Sequence, residues 1–174
     1  MSTFFMAKLL NDDCNTDKKG KYKYKEASKF DHLLPIENAM SSIEILGIPI
    51  HVDENHWVVV FVFMKQKLIQ YYDSKGYDLK GESIKDKGKV YVDAVFEYLK
   101  DQHKIVDMAS WKCEGTCPEN IPQQDKNNNN DCGVFCCSYI AYAFHNIVIP
   151  CTQEEVETRR KQIMLTILKS RNLD

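Results

Sequence analysis

The longest unbroken apolar run in the chain is Trp57 to Met64, WVVVFVFM. It is β-branched and aromatic, and it suits a strand buried on both faces. Gly47 to Val52 (GIPIHV) reads as a strand before it, with Pro49 marking an edge or a strand start. DENH makes a turn between the two, and Lys65-Gln66 closes a tight turn into KLIQYYD, a strand ending at Asp73. Phe4 to Leu10 reads as a short helix, Asn11 to Glu26 as a solvated loop, and the glycine-punctuated Tyr77 to Lys89 as another loop. Val92, Val95, Phe96 and Leu99 recur at helical spacing, so Val90 to Gln102 is expected to be an amphipathic helix. Ile105 to Trp111 is expected to add a strand. Lys112 to Asp131, with two prolines, a glycine and four consecutive asparagines, is expected to be a loop. Gly133 to His145 is apolar nearly all round, the pattern of a buried central helix. Cys151 to Arg171 opens with a Thr152–Glu155 capping box and continues as an amphipathic helix. Strands in one block flanked by helices make the fold α+β.

Composition narrows the function classes. At 174 residues the chain is expected to be a single domain, residues 1–174. A net charge of −2 argues against a nucleic-acid partner, and the short basic run Lys18 to Lys25 reads as a solvated loop. The longest apolar run falls well short of the ~20 residues of a membrane-spanning helix, so no membrane partner is expected. The N-terminus lacks the basic region, apolar core and cleavage site of a secretory signal. Seven cysteines, an odd number without an export signal, suggest reduced thiols in the cytoplasm or nucleus.

The candidate chemistry begins with His56 and Asp73, at the two open ends of the expected hairpin. With a two-residue turn, Asp73 pairs with Val58 and His56 falls diagonally on the same face, within reach of a His–carboxylate hydrogen bond. A three-residue turn would put them on opposite faces. Cys132 opens the apolar helix, where the helix dipole and a nearby imidazolium favour a thiolate. Gly133 beside it leaves room for a substrate backbone. Gln123 and Gln124, shortly upstream, carry an amide able to meet an oxyanion formed at a carbonyl attacked by Cys132. Read otherwise, Cys113-x-x-x-Cys117 and Cys132-x-x-x-Cys136 form a four-thiolate zinc set. The three-residue spacing and the helical position of the second pair disfavour that reading, and no metal is expected.

The order His56-Trp57, Tyr71-Tyr72-Asp73-Ser74, Pro122-Gln123-Gln124 and Asp131-Cys132-Gly133-Val134-Phe135 resembles the SUMO-specific (sentrin-specific) cysteine proteases. The resemblance runs from the Phe-Phe-x-x-x-Leu-Leu start, through Pro49 to Val52, to the terminal helix with Arg159 and Arg160. It implies a papain-like core: a mostly antiparallel sheet flanked by helices, with the nucleophile at the N-terminus of the central helix. The order His–Asp–Cys nonetheless differs from papain itself, where the cysteine comes first. By position the resemblance implies His56 as general base, Asp73 as its orienter, Cys132 as nucleophile and Gln124 as oxyanion donor. The Asn-rich insert leaves Gln123 as the other choice. Trp57 would form one wall of the tunnel that holds a modifier's Gly-Gly tail, with Gln123 and Gly133 alongside. The implied partner is a ubiquitin-like modifier with its conjugates, met by a monomer that uses no cofactor. Family members carry a Trp-Leu-x-Asp stretch upstream of the Phe-Phe segment, so the domain is expected to be short at its N-terminus. Two other uses of the same residues remain: a catalytically impaired modifier-binding domain, and a protein acetyltransferase built on the same His–Asp–Cys constellation.

Overall fold

The computed structural model describes residues 9–10, 43–52, 55–76, 84–103, 107–119, 121–145 and 151–171. Of the expected N-terminal helix, only Leu9 and Leu10 are described, and both are helical; the expected loop at Asn11 to Glu26 lies outside the described residues. Four strands form one sheet in the order of the chain: β1 (Ile45–Val52), β2 (His56–Phe63), β3 (Leu68–Tyr72) and β4 (Lys112–Glu114). β1–β2 and β2–β3 are antiparallel, whereas β3–β4 is parallel. Among the described residues after Leu10, three helices follow the strands or lie between them: α1 (Lys89–His103), α2 (Cys132–His145) and α3 (Val156–Arg171). The architecture is α+β, as expected.

The apolar run in β2 is explained by two cores. Val58, Val60 and Val62 pack on one side of the sheet with Ile69, Tyr71 and the α1 residues Val92, Val95, Tyr98 and Leu99. Val59 and Phe61 pack on the other side with Val134, Phe135 and Tyr139 of α2. A strand covered on both faces has no polar side to alternate with. Pro49 sits in β1, an edge strand, where a missing N–H disturbs no interior ladder.

The hairpin register decides where the candidate site residues lie. β2 and β3 pair from Val59↔Tyr72 to Phe63↔Leu68. That leaves Lys65 and Gln66 between the Met64–Lys67 rung, closed by the Lys67 N–H to the Met64 carbonyl at 3.3 Å. Lys67 takes a left-handed φ of 50° to do so. The same register carried one rung outward sets Asp73 beside Val58, the arrangement the two-residue turn requires.

Four expectations are corrected. The segment Ile105 to Trp111 was expected to be a strand; Asp107 instead adopts a φ of 70° and starts a 3₁₀ turn, Met108–Ser110. Lys67 fixes that turn, donating from Nζ to Asp107 at 2.9 Å and to Ser110 Oγ at 2.8 Å. The strand comes later, at Lys112–Glu114 inside the expected loop, because the Lys67 carbonyl accepts from the Lys112 N–H (2.8 Å) and starts a parallel ladder. α2 is buried in its first half, but Tyr142 and Phe144 near its end are exposed. α3 buries Val156 and half-buries Ile163, while Met164, Leu165, Ile167 and Leu168 are each about half exposed. Those apolar side chains spread around α3 rather than forming one stripe, so a single buried face does not result. Among the described residues no helix is long and apolar enough to cross a membrane.

Candidate active site

His56 is the first residue of β2, and Asp73 follows the last residue of β3. Their side chains meet: His56 Nε2 lies 2.6 Å from Asp73 Oδ1. Asp73 is fully buried and the His56 ring is mostly so. Burial alone would raise the Asp73 pKa. Hydrogen bonds from His56, Lys87 and the Lys75 N–H outweigh it and hold the carboxyl well below the usual carboxylate range. An ionised carboxylate only accepts, so Nε2 carries the proton and Nδ1 is left as the ring's other face. The Tyr71 hydroxyl donates to Asp73 Oδ2 at 3.0 Å, and burial, reinforced by the Asp73 charge, raises the phenol's pKa.

The sequence-predicted nucleophile stands close to this pair. Cys132 is the first residue of α2 and is buried. Its Sγ lies 3.7 Å from the carbonyl oxygen of Asn55, the residue before His56. Cys132, Gly133, Trp57, Asn55, Asn129 and Asn130 line a cleft of about 480 Å³. A Cβ built on Gly133 would meet only Trp57, at 3.9 Å, so the space before that residue is open. Trp57 is braced by His51, ring centroids 4.7 Å apart.

The two glutamines behave differently from each other. Gln123 donates from Nε2 to the main-chain carbonyls of Asp73, Ile121 and Pro122, at 3.3, 3.5 and 3.2 Å. Gln124 is buried; its Oε1 accepts from Ser74 Oγ at 3.1 Å. Its Nε2 donates to Asn128 twice, to the carbonyl at 2.6 Å and to Oδ1 at 2.9 Å. Neither amide belongs to the cleft lining, and Asn128 in the Asn-rich insert holds the Gln124 donor.

A second buried carboxylate fixes the start of α2. Asp131 accepts from Arg160 Nε (3.1 Å) and Nη2, from Gln153 Nε2 (2.7 Å) and from Asn128 Nδ2. Burial opposes its charge, but the bonds from Arg160, Gln153 and Asn128 prevail and lower its pKa. Its main-chain carbonyl accepts from the Val134 and Phe135 N–H groups at 2.8 and 3.1 Å, opening the helix. The six described cysteines are free. Burial pushes the Cys117 thiol up to about 12, and raises Cys113, Cys136, Cys137 and Cys151 as well. Cys117 Sγ also accepts from the Asp73 N–H at 3.1 Å.

A histidine bonded to a buried carboxylate, with a cysteine at a helix start one strand end away, is a thiol-protease arrangement. Residues 1–171 match the Ulp1 protease family, C-terminal catalytic domain. The chain belongs to the Ulp1 protease family. Among members, it is 31% identical over 130 residues to human (Homo sapiens) sentrin-specific protease 2, a match covering 72% of this chain and 20% of that protein. It is 26% identical over 175 residues to the putative ubiquitin-like-specific protease 1B of Arabidopsis thaliana, covering 98% of this chain and 46% of that one. The chain therefore spans about a fifth of the first of these curated relatives and just under half of the second. The fold is that of the C-terminal Ulp1 protease domain solved in complex with Smt3, the yeast ortholog of SUMO. That comparison gives a TM-score of 0.70 at 16% identity, over 92% of this chain and 62% of that one. The Ulp1 SUMO protease with its catalytic cysteine oxidised to a sulfonic acid gives the same TM-score over 98% of this chain and 68% of that one, at 17% identity.

Sequence reasoning missed Lys87, Tyr71, Cys117, Asn128 and Gln153 as neighbours of the site. Lys87 lies in a polar stretch with no periodicity and Gln153 lies far along the chain, so no local pattern could have flagged either.

Proposed function

We propose that this chain is a cysteine protease and isopeptidase that cleaves after the C-terminal Gly-Gly of a ubiquitin-like modifier, with SUMO the first candidate, to process precursors or release the modifier from target lysines. The observation that carries the reading is the 2.6 Å bond between His56 and the ionised, buried Asp73, beside a cleft that holds Cys132. Membership of the Ulp1 family and the names of the relatives supply the substrate class. The six free thiols fit a reducing compartment, cytoplasm or nucleus.

In the proposed mechanism His56, oriented by Asp73, takes the Cys132 proton. The thiolate attacks the carbonyl carbon of the modifier's terminal glycine, forming the S–C bond. The Cys132 N–H, unpaired at the first turn of α2, and the Gln124 amide stabilise the oxyanion. The C–N bond then breaks and His56 protonates the leaving lysine amine. Water activated by His56 hydrolyses the thioester, releasing the modifier's carboxylate and restoring the thiol. Gln124 is the donor the family resemblance implies; to meet the oxyanion its Nε2 must leave Asn128, whereas Gln123 Nε2 must leave three main-chain carbonyls.

The Asn128 contact favours a second reading, a modifier-binding domain with impaired turnover, because both Gln124 Nε2 hydrogen bonds are already used. One experiment separates the two. Wild-type chain and Cys132→Ala are mixed with SUMO and with ubiquitin, each bearing a C-terminal electrophile, and with fluorogenic C-terminal amides of both. Trapping and turnover with SUMO, both lost in Cys132→Ala, support the protease. Binding without trapping or turnover supports the second reading, and neither binding nor trapping refutes both.

A further inference from the structure

Among the described residues, Lys87 is the ammonium that touches the buried carboxylate of the candidate site. Its Nζ lies 2.5 Å from Asp73 Oδ2, opposite the oxygen that meets His56, and also donates to the Lys75 carbonyl at 2.9 Å. The turn that delivers it is tightly fitted. Gly88 packs so closely on the Tyr71 ring that a Cβ there would stand 2.0 Å from Tyr71 Cγ. The Gly88 N–H donates to the Gly115 carbonyl (2.7 Å), the Asp86 N–H to Thr116 Oγ1 (2.9 Å) and the Lys89 N–H to the Asp86 carbonyl (3.0 Å). Asp86 adopts a left-handed φ of 52° to make the bend. The backbone around Lys87 is thus anchored on β3 and on the segment after β4.

Resting on the catalytic reading above, we propose that Lys87 is a positioning residue that tunes His56 through Asp73. A lone carboxylate behind an imidazole stabilises the imidazolium strongly. A carboxylate shared with an ammonium does so less, because the cation offsets part of its field. Asp73 and Tyr71 come from β3 and its end, Lys75 from just beyond it, and Lys87 from the turn before α1. Cys117 comes from the segment after β4; Cys136 and Tyr139, which feel the Asp73 charge, come from α2, as does Cys132, whose Sγ lies against the Asn55 carbonyl next to His56. Among these groups Lys87 is the one whose ammonium meets Asp73; Lys75 bonds the carboxylate through its main-chain N–H and sends its Nζ to Asn129. Its role has two parts: it fixes the carboxylate plane that orients the His56 ring, and it offsets part of the carboxylate's field at that ring.

The sign follows. Removing the Lys87 charge strengthens the field of Asp73 on His56, so the imidazolium persists to higher pH. Both groups lie on the same carboxylate, His56 Nε2 2.6 Å from Oδ1 and Lys87 Nζ 2.5 Å from Oδ2, and Lys87 is one-third exposed, so solvent screens part of its charge.

The test uses Lys87→Met, which keeps length and removes charge, and Lys87→Arg, which keeps charge. One arm records the pH dependence of kcat/KM on the fluorogenic SUMO amide. The other follows the His56 ring protons by NMR in a Cys132→Ser background, which needs no turnover. Lys87→Met is expected to move the alkaline limb and the ring titration midpoint upward together, with Lys87→Arg staying near wild type. Unmoved midpoints in a folded Lys87→Met protein overturn the proposal. If no modifier is cleaved, the catalytic reading fails while the NMR arm still decides whether Lys87 tunes His56. Should Lys87→Met not fold, Lys87→Gln carries the same measurement.

Discussion

Arg160→Met is the substitution with the most calculable consequence for the nucleophile's setting. Arg160 reaches from α3 to the carboxylate of Asp131 with Nε and Nη2, and Nη2 also donates to the Asn130 carbonyl at 2.7 Å. Asp131 is buried and immediately precedes Cys132, whereas the Arg160 side chain is 43% exposed. A charge-assisted hydrogen bond contributes roughly 1.5–3 kcal/mol when buried and far less at the surface. With one partner buried and the other half in solvent, loss of Arg160 is expected to cost about 1–2 kcal/mol. Asp131 keeps Gln153 and Asn128, which limits the damage. For a chain of this size the melting temperature should fall by about 2–8 °C. The assay is thermal unfolding at neutral pH of wild type, Arg160→Met, Asp131→Asn and the double variant. The double variant should be less destabilised than the sum of the singles, because each single change already removes the same contact. Because Asp131 opens the helix that carries Cys132, kcat should fall more than KM rises. An Arg160→Met protein that melts with wild type would refute the clamp.

Asp131 also makes an acid-side prediction. Its folded pKa is depressed, so the stability it contributes is fully present above the ordinary carboxylate range, near pH ~4, and is lost as pH falls below it. The stability gap between wild type and Asp131→Asn should narrow through that window in urea unfolding series, and a pH-independent gap would contradict it. Gln124→Ala should lower kcat by roughly 10²–10³, as expected for loss of one oxyanion donor, and should also lower the melting temperature because its buried amide bonds Ser74 and Asn128. Gln123→Ala should lower stability with kcat little changed, and the reverse pattern in kcat would exchange their roles. Gly133→Ala should leave the unfolding free energy within about 0.5 kcal/mol of wild type, since its Cβ meets only Trp57 at 3.9 Å, yet should weaken trapping by the modifier probe. Equal trapping rates would remove Gly133 from the substrate path.

Much of this arrangement is legible in the chain itself. The uninterrupted run in β2 identifies a strand covered on both faces, and the two polar residues Lys65 and Gln66 fix the hairpin register that brings His56 to Asp73. The contact is periodic and local, so pattern reading reaches it. The contacts of Lys87, Gln153 and Asn128 are not periodic. They depend on loops whose paths are set by tertiary hydrogen bonds, such as Gly88 to Gly115. β4 was misplaced for the same reason. Its three residues have little strand character alone, and it is the Lys67 carbonyl, in the turn just before β3, that starts the pairing.

The distribution of thiols gives the chain its own reporters of opening. Cys117 belongs to the core between the sheet and α1, whereas Cys136 and Cys151 belong to the core between the sheet and α2. All three are buried and have raised pKa values, so a neutral alkylating reagent finds them protonated and covered in the folded state. They become reactive only when their own side of the sheet separates. Pulsed alkylation along a denaturant series, read by peptide mass, would therefore time the departure of each helix from the sheet without any introduced label.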